Sequence, residues 1–153
     1  MEKSILKQSV FNLDFVAADN FDAIINDIIH NKDTTHFPVV ITPNVDLTVH
    51  LNKNKKLLPV FQNARYILPD GAPIIWFSKL LGKPLKKRLA GSDLFPLIWK
   101  AGIQHQKKMF LILPNDIVKT QLTLEYPTAQ CYIPPFFEAT AEEVEKEAQQ
   151  IFP

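Results

Sequence analysis

Short apolar runs alternate with stretches of helical periodicity along most of the chain. The apolar runs are FPVVIT at 37–42, RYILPD at 65–70, MFLIL at 109–113 and QCYIP at 130–134. Runs of this length, bounded by turn residues, are typical of strands that are buried on both faces of a parallel sheet. Their alternation with helical segments predicts an α/β fold with a mostly parallel, Rossmann-like sheet and flanking helices.

The remaining elements are predicted from spacing and from possible cap residues. Helices are predicted at 19–31, 45–53, 56–63, 72–81, 115–125 and 141–151, with one more that ends near His105. Asp19 is the expected N-cap of the first helix, and Ser92 or Asp93 caps the helix ending near His105. Alternation over 4–16 predicts a small N-terminal β element. No linker or repeat divides the 153 residues, so we expect one domain, 1–153.

Composition and charge exclude several classes of protein. Seventeen basic and sixteen acidic residues give a net charge of +1, so no overall field favours nucleic acid as a partner. Cys131 is the only cysteine, which excludes an internal disulfide and fits a reducing compartment. The four histidines lack ligand spacing, so we expect no metal site. Neither a secretory signal nor an apolar stretch of about 18 residues is found, which predicts a cytoplasmic protein.

Polar residues follow three of the predicted strands directly. Thr42 and Asn44 follow the first strand, Asp70–Gly71 ends the second, and residues 115–116 follow the third. Open α/β sheets bind ligands at the carboxyl ends of their strands, so we expect these residues at one edge. Ordinary local chemistry explains them equally well, because Asp-Gly is a common turn and both Asp70 and Asn44 are good N-caps. The pattern alone leaves both interpretations open.

Three segments together resemble the WecG/TagA/CpsF family of bacterial glycosyltransferases. They are TPNVD at 42–46, ARYILPDGAPIIW at 64–76 and GKPLKKRLAGSDLF at 82–95. The family pattern is Thr-x-Asn after an early strand, a strand ending in Asp-Gly, and a basic Arg-x-x-Gly-x-Asp-Leu that opens a helix. The matching positions here are Thr42/Asn44, Asp70/Gly71 and Arg88/Gly91/Asp93/Leu94. They occur in the family's order, and the resemblance covers roughly residues 5–152.

The resemblance implies an inverting glycosyltransferase. It would move an N-acetylhexosamine-type sugar, such as N-acetylmannosamine, from a UDP-sugar donor to an undecaprenyl-diphosphate-linked acceptor sugar. Such a reaction belongs to teichoic acid, cell-wall or surface-polysaccharide synthesis, and it places the protein peripherally at the inner face of the cell membrane. In line with the histidine spacing and the net charge, we expect no metal or other cofactor and no nucleic acid partner.

The resemblance also implies roles for individual residues. Asp70 is expected to be the general base that takes the proton of the acceptor hydroxyl, and Thr42 and Asn44 to bind sugar hydroxyls at the catalytic centre. Substrate binding is expected at Gly71, Arg88, Gly91 and Asp93. Arg88 is expected to supply fixed positive charge to the diphosphates, because both substrates carry this group.

Two neighbouring segments keep alternative interpretations. Lys83, Lys86 and Lys87 assist Arg88, contact anionic lipid headgroups or form a solvated basic loop, and a solvated loop is also the alternative for Arg88. The segment IIWFSKLL at 74–81 is either a core helix or an apolar wall beside a polyprenyl chain.

The chain departs from the family pattern at two places. Leu113-Pro114-Asn115 stands where a Gly-rich turn is usual, and the family's Pro-Lys-Gln-Glu segment and C-terminal appendage do not follow. We therefore expect this chain to correspond to the N-terminal part of the pattern and these 153 residues alone to transfer little sugar. We also expect a homo-oligomer that covers apolar surface. The alternative is a catalytically silent binding module that keeps the acceptor-side fold. The absence of Gly-x-Gly-x-x-Gly counts against an unrelated nucleotide-binding protein.

Overall fold

A computed structural model of the chain describes residues 5–30, 39–135, 145–146 and 148–149. The chain divides into two compact units, Met1–His105 and Gln106–Pro153. The two units are described separately below, and the single domain over 1–153 stays a prediction.

Helices and strands alternate in both units. The strands of the first unit are β1 (Lys7–Val10), β2 (Leu13–Val16), β3 (Val40–Ile41) and β4 (Tyr66–Ile67). Its helices are α1 (Asp22–His30), α2 (Val45–Lys53), α3 (Leu58–Gln62), α4 (Ala72–Leu80) and α5 (Gly91–Gln104). The second unit contains β5 (Phe110–Ile112), α6 (Asp116–Glu125) and β6 (Gln130–Tyr132). The predicted α/β class is confirmed.

The first unit contains a mixed four-stranded sheet with the order β1-β2-β4-β3. β1 and β2 form an antiparallel hairpin, which is the predicted N-terminal β element. β4 runs parallel to β2 on one side, where Phe15 pairs with Ile67, and parallel to β3 on the other. In the second unit, β5 and β6 form a parallel pair. A Rossmann-like, mostly parallel sheet stays a prediction.

Buried side chains form two clusters on the two faces of the four-stranded sheet. Ile67 belongs to the first cluster, whereas its neighbours Tyr66 and Leu68 belong to the second. This division follows from the strand geometry, because successive side chains of a strand point to opposite faces. The helical members of the first cluster are Leu51, Ile74 and Ile75, and those of the second are Ile24 and Leu94. Helices thus cover both faces of the sheet and fix the strand ends that carry the candidate site.

Two of the predicted helix caps are wrong. α1 begins at Asp22, and the side-chain oxygen of Asn20, not of Asp19, accepts the hydrogen bond of the Asp22 backbone N–H at 3.1 Å. α5 begins before Ser92 and Asp93, and the alanine at its N-cap makes no side-chain cap hydrogen bond. Near the start of α1, three side chains with oxygens lie within four residues, Asp19, Asn20 and Asp22, so the local pattern alone does not decide which of them caps the helix.

The strands are shorter than the sequence predicts, and β4 is buried as predicted, whereas β3 and β5 are less buried. β3 is an edge strand with half-buried residues, and the first part of the run 37–42 lies outside the described residues. In β5, the exposed fractions of Phe110 and Ile112 are 46% and 55%, so the prediction of a strand buried on both faces is wrong. Most of the predicted helix 141–151 lies outside the described residues. Within it the structure describes 145–146 and 148–149, and these residues are helical.

Candidate functional site

The candidate site is built first from the adjacent carboxyl ends of β3 and β4. The two strands are parallel, so the segments that leave them emerge at the same edge of the sheet. Beyond the strands, the backbone N–H of Leu68 donates to the carbonyl of Ile41 at 2.8 Å, and that of Asp70 donates to the carbonyl of Pro43 at 3.3 Å. These bonds bring the Thr-x-Asn segment beside Asp70.

The basic segment and the start of α5 join the same edge. The backbone N–H of Leu89 donates to the carbonyl of Pro69 at 2.9 Å, which fixes the basic segment beside the end of β4. Gly91, the first residue of α5, lies against Thr42, because a Cβ atom at Gly91 would be 3.0 Å from the Thr42 Oγ1 atom and 3.2 Å from its Cγ2 atom. Only a residue without a side chain fits this approach without displacing Thr42.

Arg88 contacts two carboxylates of the site. Its Nε donates to Asp70 Oδ1 at 3.2 Å, and its Nη1 lies 3.6 Å from Asp93 Oδ2. The side chains of Arg88 and Asp70 are 48% and 29% exposed, so a ligand can reach both. Arg88 is nevertheless exposed and lies outside the helices and strands, so the choice between a diphosphate contact and a solvated loop stays a prediction. These contacts, together with the close approach of Gly91 to Thr42, bring all three segments of the family pattern to one edge.

The interpretation as a helix N-cap is confirmed for Asn44 and is wrong for Asp70. Asn44 is the N-cap of α2, and its side-chain oxygen accepts the hydrogen bond of the Leu47 backbone N–H at 2.8 Å. Its amide nitrogen is the group that can donate to a ligand. Asp70 is not the cap of α4, because Gly71 occupies that position. Gly71 has φ +117° and ψ 141°, a backbone conformation that residues with a side chain rarely adopt. The Asp70 carboxylate therefore does not cap α4, and it contacts Arg88 instead.

Asn115 and Asp116 belong to the second unit. There, the side-chain oxygen of Asn115 caps α6 by accepting from the Val118 backbone N–H at 3.0 Å, and Asp116 begins the helix. Their predicted place at the edge that carries Asp70 stays a prediction.

Sequence reasoning missed the residue that supports the basic segment. Ser78 of α4 is fully buried, and its hydroxyl accepts from the Leu85 backbone N–H at 3.0 Å while donating to the Ile75 carbonyl at 2.7 Å. The available signal was a serine on the apolar side of a short helix, because a buried hydroxyl requires partners.

The described residues contain no group of three or more His, Cys, Asp or Glu side chains arranged to hold a metal ion. Across the same described part of the chain, none of the helices has the length and apolarity to cross a membrane. Metal independence stays a prediction.

Several bacterial enzymes resemble this chain in sequence. A protein of Bacillus spizizenii named N-acetylglucosaminyldiphosphoundecaprenol N-acetyl-beta-D-mannosaminyltransferase is 32% identical over 103 residues, which is 64% of this chain and 38% of the relative. A Bacillus subtilis protein of the same name is 28% identical over 102 residues, or 64% of this chain and 40% of the relative. A Staphylococcus aureus protein of that name is 28% identical over 90 residues, or 58% of this chain and 35% of the relative. The matches span less than half the length of these relatives.

A sequence model of a whole family matches much more of the chain than the individual relatives do. The match covers residues 8–152 and therefore includes all seven predicted site residues. The predicted resemblance is confirmed, and the chain belongs to the glycosyl transferase WecG/TagA/CpsF family.

Proposed function

We propose that this chain contributes the acceptor-side site of an inverting glycosyltransferase. The reaction would transfer an N-acetylmannosaminyl group from a UDP-sugar to N-acetylglucosaminyl-diphospho-undecaprenol, the acceptor in the names of its relatives. The observation that carries the proposal is the meeting of Asp70, Arg88 and Thr42 at one edge of the sheet. Family membership supplies the reaction class.

Asp70 is the proposed general base. One of its carboxylate oxygens accepts from Arg88, and the second is the group that would accept the proton of the acceptor hydroxyl. As this proton leaves, the hydroxyl oxygen attacks the anomeric carbon of the donor sugar, and UDP departs from the opposite face. The proposal is supported by the partial exposure of the carboxylate and by the contact with Arg88, which fixes its orientation.

Thr42 and Asn44 are proposed to hold the sugar in place. The Thr42 hydroxyl can donate to or accept from a sugar hydroxyl, and the Asn44 amide nitrogen can donate because its oxygen already caps α2. Hydrogen bonds of this kind orient the acceptor without adding charge near Asp70. Correct orientation of the reacting atoms is a large part of the rate enhancement in a transfer between two bound substrates.

Arg88 is proposed to bind a diphosphate. A guanidinium presents five N–H donors in a plane, and only some of them face Asp70 and Asp93. The remaining donors can form charge-assisted hydrogen bonds to phosphate oxygens. Asp93 is proposed to act through Arg88 by orienting it, and Gly91 by allowing α5 to approach Thr42 closely.

The reaction is proposed to proceed without a metal at the inner face of the cell membrane, in teichoic acid or other cell-wall polysaccharide synthesis. Support for the location comes from the lipid-linked acceptor in the names of the relatives. Transfer that continues in EDTA would support the metal-independent reaction, and loss of transfer that returns with a divalent cation would contradict it.

Calorimetry with a diphosphate ligand tests the acceptor-side site. The ligand is N-acetylglucosamine joined through a diphosphate to a short prenyl chain, and the variants are Arg88→Ala and Lys55→Ala. Arg88→Ala should weaken binding by about tenfold or more, because it removes charge-assisted bonds to the phosphates. Lys55→Ala removes the same charge from an exposed position outside the site and should leave affinity unchanged. Equal affinities for all three proteins would contradict the role of Arg88.

A binding module that keeps the acceptor-side fold is the second candidate function. It is favoured by one observation, the match to less than half the length of the relatives. Tight binding of the prenyl-diphosphate ligand without sugar transfer, in the presence of UDP-N-acetylmannosamine, would identify this function.

A further inference from the structure

The outer face of α4 exposes a continuous group of large apolar side chains. Ile74, Ile75 and Ser78 form the buried side of the helix, so the predicted core helix is confirmed for that side. The opposite side is exposed, and its large apolar residues are Trp76 (66% exposed), Phe77 (47%), Leu80 (81%) and Leu81 (54%). Residues three or four apart in a helix share one face, and the pairs 76/80, 77/80 and 77/81 have this spacing, so the four side chains form one surface, the α4 patch.

Positive charge lies next to the α4 patch without compensating negative charge in the same segment. Between Gly71 and Ser92 the chain has no acidic residue, and its basic residues are Lys79, Lys83, Lys86, Lys87 and Arg88. Lys86 pairs with Asp19, and Arg88 pairs with the two site carboxylates. No carboxylate among the described residues lies within ion-pair distance of the other three lysines.

The basic segment is held to α4 through its backbone. The carbonyl of Ser78 accepts from the Lys83 N–H at 2.9 Å, and the Ser78 hydroxyl accepts from the Leu85 N–H at 3.0 Å. Leu85 is 1% exposed and packs in the same core cluster as Ile74 and Ile75. The backbone of the basic segment is therefore fixed beside the C-terminal part of α4 at Lys83 and Leu85.

We propose that the α4 patch and Lys79, Lys83 and Lys87 form a docking surface for an anionic lipid bilayer. Apolar side chains would enter the headgroup region, where tryptophan is favoured, and the lysines would contact lipid phosphates. α4 begins at Ala72, and its N-cap Gly71 directly follows Asp70, so docking through this helix would bring the candidate site to the membrane surface. The inference deepens the proposed function and rests on it for its biological purpose, although vesicle binding is measurable without sugar transfer.

Charge distinguishes a bilayer from a second copy of the chain as the occupant. In a symmetric dimer the same patch would meet itself, so the unpaired lysines of both copies would lie close together around an apolar centre. Like charges in such an arrangement repel, whereas an anionic bilayer neutralises them. The charge of the segment thus complements lipid and opposes self-association.

Vesicle binding of the whole chain tests the proposal. The chain has two tryptophans, and Trp99 is buried, so Trp99→Phe leaves Trp76 as the fluorescent reporter. Vesicles of equal parts phosphatidylglycerol and phosphatidylcholine should shift Trp76 emission to shorter wavelength, and brominated acyl chains should quench it. Pure phosphatidylcholine vesicles should bind more weakly, and added salt should weaken binding to the anionic vesicles.

Two variants with matched controls separate the apolar and the charged contributions, measured by vesicle sedimentation in the parental background. Trp76→Ser/Leu80→Ser should weaken partitioning at least about tenfold, because less apolar area is buried. Ile117→Ser/Leu124→Ser removes comparable exposed area from α6 and should bind as the parent does. The triple variant Lys79→Gln/Lys83→Gln/Lys87→Gln should lose about a hundredfold, roughly fivefold for each lysine. The control Lys53→Gln/Lys55→Gln/Lys56→Gln removes equal charge and should retain most of the binding.

Three results would overturn the proposal. The first is the absence of binding to anionic vesicles, and the second is an equal loss in either control. The third is a dimer in solution that Trp76→Ser/Leu80→Ser converts to a monomer, without vesicle binding, which would identify a second copy as the occupant. The vesicles contain no sugar or acceptor, so a failure here is separate from a failure of the proposed reaction.

Discussion

At the scale of single residues, Arg88 links carboxylates from two different segments of the chain. Asp70 follows β4, and Asp93 lies in the first turn of α5. The sequence motif identified all three residues, because each stands at a fixed position in the family pattern. It could not identify their contact, since that depends on the direction of each side chain and on the path of the basic segment over Pro69.

Asp70→Asn should lower turnover by roughly a hundredfold or more in a form of the protein that transfers sugar, because an amide cannot act as a general base. Thermal stability should change little, since the ion pair that is lost is partly exposed and such pairs contribute about 0–1 kcal/mol. Steady-state kinetics and thermal unfolding of the same preparations measure both effects.

Asp93→Asn is the matched control for Asp70→Asn. It removes the other carboxylate beside Arg88 while leaving Asp70 intact. If Asp70 acts only by orienting Arg88, the two variants should lose similar activity. A much larger loss for Asp70→Asn is the expected result, and parental turnover in that variant would remove Asp70 from the base role.

Gly91→Ala should lower turnover by about tenfold through displacement of Thr42. The added Cβ would be 3.0 Å from the Thr42 hydroxyl oxygen, so one of the two segments must shift by a few tenths of an ångström. Adding Thr42→Ser removes the methyl group that would be 3.2 Å away and should restore part of the activity. Ser92→Ala, at the exposed next position, should behave as the parent does. Unchanged turnover in Gly91→Ala would show that the position of Thr42 does not limit the reaction.

At the scale of elements, predictions were best where local sequence decides the structure. The bounds of α2 were predicted correctly, because Asn44 is a strong cap and the helical spacing begins directly after it. Strand length was overestimated, since pairing depends on neighbours that are distant in sequence. In the second unit, the apolar run of β5 has the composition of a buried strand, yet two of its three residues are exposed. A short apolar run thus predicts a strand more reliably than it predicts burial.

β4 also carries a buried tyrosine that couples stability to alkaline pH. Tyr66 is 4% exposed, its hydroxyl donates to Asp27 at 2.6 Å, and Arg65 donates to the same carboxylate at 2.7 Å. Burial, followed by the hydrogen bond to Asp27, raises the pKa of Tyr66 above its ordinary value of 10.0. Folding therefore favours the neutral phenol, so its contribution to stability is complete below about pH 10 and is lost as the pH rises above that value.

Tyr66→Phe should therefore reduce the alkaline loss of stability. At neutral pH the variant should be less stable by about 2 kcal/mol, because it loses a hydrogen bond to a charged group. Above pH 10 its free energy of unfolding should fall less steeply than that of the parent. Urea unfolding at a series of pH values measures both differences. Parallel curves for the two proteins above pH 10 would contradict the role of the buried phenol.

At the scale of the whole molecule, net charge gave no information about the function, whereas local charge did. The chain has a net charge of +1, yet the segment from Gly71 to Ser92 has five basic residues and no acidic one. The sequence showed this segment, but not that Ser78 fixes it beside an exposed apolar face. That knowledge required the backbone contacts of a turn, which depend on tertiary packing of Leu85.

The 153-residue chain alone should transfer little or no sugar. A transferase must hold donor and acceptor together with the reacting atoms about 3 to 3.5 Å apart, so a site that binds only one substrate loses most of its rate enhancement. The predicted acceptor-side residues all lie in the first unit, and the matched segment is 38% of the Bacillus spizizenii relative. The measurement incubates this chain with UDP-N-acetylmannosamine and a short-chain acceptor, beside that relative as a positive control. Turnover within about tenfold of the relative would mean that these residues also bind the donor productively.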